Sequence, residues 1–254
     1  MLCYKHKYIS IAKQGNKDEE NEDNILVPTP AELNNEEVLK YAIADGATES
    51  SFSKEWSDLL VCCYKEKSFE RAHVRDTIKH ISEMWYAKVR SKELPWYAAQ
   101  KAELGAFATF LGITICMPTQ TYQAVAAGDC MLFHIRENNL FFSFPNVEEF
   151  NNQPSLISSN LQYHRNLEET FVYFQGSILP GDTLILATDA LSHWLYQKQS
   201  QKPWLALYLL LNSPNYEQDF KDWLKDKIAS KEIKNDDVSL IFIEIFEDNA
   251  TSTT

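Results

Sequence analysis

The stretch Ile43-Ala44-Asp45-Gly46-Ala47 decides how this chain is read. The apolar run Tyr41 to Ala44 has the make-up of a buried strand, and it stops abruptly at an acid followed by a glycine. A carboxylate at the end of a buried strand is held by rigid backbone, and the glycine lets a second group approach the main chain closely. Carboxylate oxygen, backbone carbonyl and water are the donors a hard cation takes. Asp-Gly is also a common turn, so the dipeptide by itself does not separate a metal ligand from a bend.

Recurrence does more. Ala187-Thr188-Asp189-Ala190 follows a second apolar run, Thr183 to Leu186. Asp236 and Asp237 precede a third, Val238 to Ile245, and Glu22 and Asp23 precede a fourth, Ile25 to Val27. If these strands are neighbours, their acids converge on one end of a sheet structure. Carboxylates cannot share a small volume as anions without cations between them. A two-metal centre that binds phosphate is the economical explanation.

The length of 254 residues fits one sizeable domain or two small ones, and 44% hydrophobic with 24% charged residues is a globular composition. No interdomain linker or internal repeat stands out. We expect residues 1–246 to form one domain and 247–254 a disordered tail. No run approaches the roughly 18 apolar residues of a membrane helix. Met1 to Lys7 is not followed by the apolar core of a signal peptide, so a cytoplasmic address is expected. The five cysteines, with Cys62 and Cys63 adjacent, show neither a disulfide framework nor zinc spacing and are expected in the core. A formal net charge of −12 argues against binding nucleic acid or an anionic membrane. It fits a solvated acidic surface equally with a site whose carboxylates are partly neutralised by cations.

The remaining pattern alternates blocks. Tyr4 to Lys13 reads as an edge strand, Gln14 to Asn24 as an acidic turn, and Pro28 to Glu37 as a loop. Phe52, Trp56, Leu59, Leu60 and Cys63 form one helical face, and Val74, Ile78, Ile81 and Trp85 another; both tryptophans are expected in the core. Histidines 73 and 80 on the second helix read as surface or packing residues. Trp96 to Leu104 suits a third helix after Pro95. A meander follows: Ala106 to Ile115, Tyr122 to Ala127, Met131 to Arg136 and Phe141 to Phe144. Pro145 to Glu169 is expected as a long loop with a short helical turn. Strands at Thr170 to Gln175 and Thr183 to Thr188, helices from Ala190, Pro203 and Tyr216, and a last strand Val238 to Phe246 complete the chain. Antiparallel runs with helices in separate blocks mean α+β, most simply two packed sheets flanked by helices.

The order of these motifs is recognisable. Asn21-Glu22-Asp23, Ala44-Asp45-Gly46, Gly105-Ala106-Phe107-Ala108-Thr109, Ala127-Gly128-Asp129, Leu179-Pro180-Gly181-Asp182 with Ala187-Thr188-Asp189, and Asp236-Asp237-Val238-Ser239 follow one another along nearly the whole chain. The sequence resembles the metal-dependent type 2C (PPM) Ser/Thr protein phosphatases, nearer their bacterial members. The resemblance implies a four-layer sandwich, with helices on both outer faces of two mainly antiparallel sheets. It implies two Mg²⁺ or Mn²⁺ ions at one end. In that likeness Asp45 is the carboxylate bridging both ions and Gly46 lends its carbonyl to one. Asp189 and Asp236 are the remaining ligands of one ion, and Asp23, with Glu22 beside it, the acid serving the other. Asp129 matches an acid that in bacterial relatives helps hold a third, weaker ion. The implied chemistry is attack on phosphorus by a water acidified between the ions, with Asp45 and Asp189 as the catalytic acids of the centre. No Ser or Cys nucleophile is needed. Water is the expected proton donor to the leaving oxygen, with His193 as the side-chain candidate.

The chain departs from the family pattern at identifiable places. Arg usually stands three residues before Asn-Glu-Asp to grip substrate phosphate; here that position is Asp18, with Lys17 and Lys13 nearby. A lysine is a point charge rather than a bidentate fork. Ala47-Thr48-Glu49, Ala190 and Asp237 stand where Gly or His, Gly and Asn are usual. The expected partner is a phosphoprotein substrate, with the protein itself a monomer and neither nucleic acid nor membrane involved. The alternative is a pseudophosphatase that binds a phosphoprotein or partner without turnover; a third reading is a hydrolase of small phosphate esters.

Overall fold

The structure, a computed structural model, describes residues 2–146 and 155–247. Of the expectations above, the tail over 248–254 and the part of the long loop at 147–154 lie outside the described residues.

Two sheets form the centre. One orders β1 (Leu2–Ile11), β11 (Val238–Glu247), β10 (Thr183–Ala187), β6 (Met131–Arg136) and β7 (Asn139–Phe144). The other orders β2 (Asn24–Leu26), β3 (Val38–Gly46), β4 (Phe107–Cys116), β5 (Thr121–Ala127) and β9 (Val172–Ser177), with the short β8 (Ile157–Ser158) beside β4. Every strand pair in both sheets is antiparallel.

The two-residue period of a strand explains the layering. Along β3, Leu39, Tyr41 and Ile43 point between the sheets, where they meet Leu111, Ile113, Leu186 and Ile241. The alternate residues Ala42 and Ala44 point outward, and their small size lets α2 (Ser53–Glu66) and α3 (Val74–Arg90) pack closely with Trp56 and Trp85 fully buried. Removing either indole would cost about 3–5 kcal/mol. On the far side Ile185, Ala187 and Leu240 pack under α6 (Asp189–Gln197), α7 (Pro203–Leu211) and α8 (Tyr216–Ala229), through Leu191, Leu207 and Phe220. Helices, sheet, sheet, helices is the expected four-layer sandwich. Among the described residues no helix is long and apolar enough to cross a membrane.

Four local expectations need correction. The loop over Pro28 to Glu37 contains a helix, α1 (Pro30–Asn35). Thr29 Oγ1 accepts the Glu32 amide at 3.3 Å, and the Glu32 carboxylate accepts the Thr29 amide at 2.7 Å, a reciprocal cap that holds even so short a helix. Beyond the expected third helix, α4 (Trp96–Glu103), the long loop adds the strand β8 to its expected helical turn, α5 (Leu167–Thr170). Glu247, expected in the tail, closes β11 opposite Leu2 because the edge strand β1 offers it a partner. Of the cysteines only Cys130 is buried; Cys62 faces solvent from the outer side of α2, and all five are free thiols.

Candidate active site

The ends of the strands place the acids. β3 leaves the core at Asp45-Gly46, β10 leaves it at Thr188-Asp189, and β11 enters it after Asp236-Asp237. Antiparallel pairing of β10 with β11 puts Asp189 and Asp236 at one end of their sheet, and the end of β3 opens on the same cleft from the other sheet. Asp129 stands in the turn from β5 to β6, where the chain crosses between sheets. Gly128 makes that turn with φ +92°, and a Cβ there would lie 2.5 Å from Thr109 Cγ2. Gly46 is required by close approach: a Cβ would sit 2.9 Å from the Ser53 carbonyl and 3.0 Å from the Glu22 carbonyl.

Asp45, Gly46, Asp129, Asp189 and Asp236 line one cleft of about 890 Å³. Burial raises the Asp45 carboxyl well above the ordinary carboxylate range, and Asp23, Asp189, Asp129 and Asp236 push it further. Burial and then Asp189 push Asp129 up to about 6. Asp189 is raised by burial and by Asp236, against the pull of Lys234. Asp45, Asp129 and Asp189 are thus each raised by neighbouring acids as well as by burial. Among the described residues no group of three His, Cys, Asp or Glu side chains is gathered tightly enough to hold a metal ion as it stands. A positive charge reaches these acids from Lys234, 2.5 Å from Asp236 Oδ2.

Glu22 and Asp23 form a row behind this floor. The Glu22 carboxylate accepts the Ser53 hydroxyl, and its backbone carbonyl accepts the Gly46 amide at 3.3 Å. Asp23 is buried, and Thr188 Oγ1 donates to its Oδ2 at 3.0 Å. Its Oδ1 is buried without a hydrogen-bond partner; the nearby Ser239 hydroxyl is engaged with Ser10 Oγ at 2.8 Å. Burial, then Asp237 and Asp189, hold the Asp23 carboxyl well above the usual range against the hydroxyls of Ser239 and Thr188. Asp237 serves as a clasp: its two oxygens accept the amides of Lys13 at 2.8 Å and Glu22 at 2.9 Å, tying the acidic turn to the head of β11.

Asp18 stands exposed on a short 3-10 turn and is not among the residues that line the cleft. Lys13 Nζ instead reaches Thr48 Oγ1 at 3.2 Å, beside the cleft, and lies 4.0 Å from Glu22. His193 and Lys101 also line the cleft, and the His193 ring bonds the Gln197 side chain at 2.9 Å. The sequence reading did not find Lys234, Ser53 or Thr188. Thr188 could have been singled out as the residue between a buried strand and an acid; an isolated lysine in a polar loop carries no such signal.

A family model described as Protein phosphatase 2C matches residues 14–226. The chain belongs to the protein phosphatase 2C family. Solved structures share the fold. The Mycobacterium tuberculosis serine/threonine phosphatase PstP/Ppp matches with a TM-score of 0.61 and 14% identity, over 97% of this chain and 100% of that one. RsbX in complex with magnesium matches at 0.54 and 15% identity over 95% of each chain. The catalytic domain of PstP in complex with 2 manganese ions matches at 0.56 and 13%, over 97% of this chain and 100% of that one. No curated protein sequence matches this chain.

The residues present fit divalent cations of the hard, oxygen-seeking kind. The donors are carboxylates and a glycine carbonyl, and one buried carboxylate oxygen, Asp23 Oδ1, has no partner of its own. Mutual repulsion among the acids is the condition a dication relieves.

Proposed function

We propose that this type 2C phosphatase hydrolyses phosphoserine and phosphothreonine esters of proteins in the acid-floored cleft, and that residues 1–246 act as one catalytic domain. The convergence of Asp45, Asp129, Asp189 and Asp236 on one cleft carries the reading. Asp45, the Gly46 carbonyl, Asp189 and Asp236 would hold Mg²⁺ or Mn²⁺ on the open side. Asp23 and Glu22 would support the inner side and Asp129 the far edge. Bound there, the ions would acidify a water for attack on the phosphoryl group. The chain's own residues do the rest. Asp237 and Thr188 fix the loops that carry the acids. Lys13, held by Thr48, places a positive charge at the rim where an anionic substrate arrives.

The test is hydrolysis of a phosphothreonine peptide and of p-nitrophenyl phosphate with Mn²⁺. Losing several kcal/mol of charge stabilisation predicts a fall of about a hundredfold or more for Asp45→Asn and Asp189→Asn. Undiminished turnover in both variants overturns the reading. A second reading, metal and partner binding without turnover, is favoured by the exposed carboxylate at Asp18 where the family pattern has Arg. Mn²⁺ binding with no hydrolysis of any phosphoester by the wild type would select it.

A further inference from the structure

Lys234 Nζ lies 2.5 Å from Asp236 Oδ2 and 4.0 Å from Asp189 Oδ2. These acids stand at the head of β11 and the first position of α6, so a single ammonium bridges two segments of the cleft floor. Lys234 also lines the cleft that holds Asp45 and Asp129. Its side chain is 70% exposed, against 26% for Asp189 and 23% for Asp236. The charge is thus delivered from the solvent side on a four-carbon stem that can turn away.

We propose that Lys234 is a tethered counter-ion of the acid cluster: it neutralises Asp236 and Asp189 in the metal-free protein, and a divalent cation binds there by displacing it. The inference rests on the metal centre proposed above. Against the four aspartates that face the cleft a monovalent ammonium supplies one positive charge and a dication two, so the dication is the better counter-ion. An exposed ion pair is weak, so the exchange meets little resistance. A planar guanidinium would bind two carboxylate oxygens at once and yield less readily. Lys234 accordingly lowers affinity for the cation while keeping the empty cluster from flying apart.

The experiment is calorimetric titration of Mn²⁺ into the wild type and into Lys234→Met, Lys234→Arg and Lys101→Met. Lys101 lines the same cleft, so its replacement removes an equal charge without touching the pair. Lys234→Met should bind Mn²⁺ about three- to tenfold more tightly, Lys101→Met within about twofold of wild type, and Lys234→Arg more weakly. In EDTA, Lys234→Met should melt below wild type, and saturating Mn²⁺ should close the gap. Unchanged or weaker binding by Lys234→Met overturns the proposal, as does equal tightening by Lys101→Met. Should Lys234→Met not fold, Lys234→Arg decides: affinity equal to or above wild type overturns it. No binding by any of the proteins overturns this inference together with the metal centre, whereas binding indifferent to Lys234 overturns this inference alone.

Discussion

Thr188 Oγ1 donates to Asp23 Oδ2 at 3.0 Å, and the same oxygen accepts the Ser239 amide at 2.9 Å. One buried hydroxyl thus joins the end of β10, the start of β11 and the acid behind the cleft floor. Thr188→Val keeps the shape but leaves the Ser239 amide and the Asp23 carboxylate each short of a partner. Each unsatisfied buried group costs about 1–3 kcal/mol, so the two together cost about 2–6 kcal/mol. Chemical denaturation should show a loss of that size, with the slope unchanged; a variant as stable as wild type contradicts the role assigned to Thr188.

Gly46→Ala tests the closeness of the strand end to α2. The new Cβ would meet Ser53 backbone atoms at 2.9 Å, and neither a central strand nor a helix start can move aside cheaply. Overpacking of this kind costs about 1–3 kcal/mol. The expected outcome is a lower melting temperature and weakened Mn²⁺ binding together, since Asp45 is displaced with its neighbour. An alanine variant indistinguishable from wild type in both would refute the close approach.

Divalent cations should stabilise the fold by mass action. A cation at a hundred times its dissociation constant adds about 2.7 kcal/mol. Thermal scans should rise with Mn²⁺ in the wild type, and the rise should vanish in Asp45→Asn and shrink in Asp236→Asn. A full shift in both variants would place the cation elsewhere.

Reversing the charge at the exposed turn should help an anionic substrate. At about 8 Å in a water-like dielectric each unit charge is worth about 0.5 kcal/mol, and Asp18→Arg changes the charge by two, so it predicts roughly a fivefold rise in kcat/KM on a phosphopeptide, diminishing at high salt. A fall, or no salt dependence, would show that Asp18 lies outside the substrate's field.

The opposite end of the sandwich carries a second buried titratable cluster. Tyr122 Oη lies 3.2 Å from His134 Nδ1, His134 Nε2 lies 2.9 Å from Asp182 Oδ2, and Arg136 grips both Asp182 oxygens at 2.7 and 2.8 Å. Burial lowers His134 below its ordinary 6.5, outweighing the pull of Asp182. Its protonation therefore favours the unfolded chain, and stability falls as pH drops below about 6.5. For Asp182 burial acts upward, but Arg136, the Leu179 amide and His134 together hold it below 3.8. That contribution is present above pH about 3.9 and is lost as pH falls through the lower folded value. Both act in the same direction. The raised cleft acids push the other way over the same range, Asp129 at about 6 among them, so the difference is the readout: from pH 7.5 to pH 5 the denaturation midpoint should decline more, or rise less, in the wild type than in His134→Gln. An equal change in the variant would move the effect to other groups.

The sandwich was legible where burial dictates composition. Tyr41 to Ala44 is apolar because both faces of β3 are covered, and Trp56 and Trp85 announce helices because each fills a core position on an apolar stripe. The acids were legible because an abrupt polar stop after such a run has few structural excuses. What stayed hidden has no periodic signature. α1 is too short for an amphipathic pattern and is held by the Thr29–Glu32 cap. Lys234 owes its place to a tertiary contact that a polar loop does not foreshadow. The relegation of Glu22 and Asp23 behind the floor follows from the Ser53 and Thr188 hydroxyls, which come from distant segments.

Asp45 ends a strand of one sheet, while Asp189 and Asp236 flank strands of the other. Neither half of the molecule owns a working centre, because the cleft exists only along the seam where the halves meet. Whatever the cleft accomplishes therefore requires both leaves to be docked, because each brings acids that the other lacks.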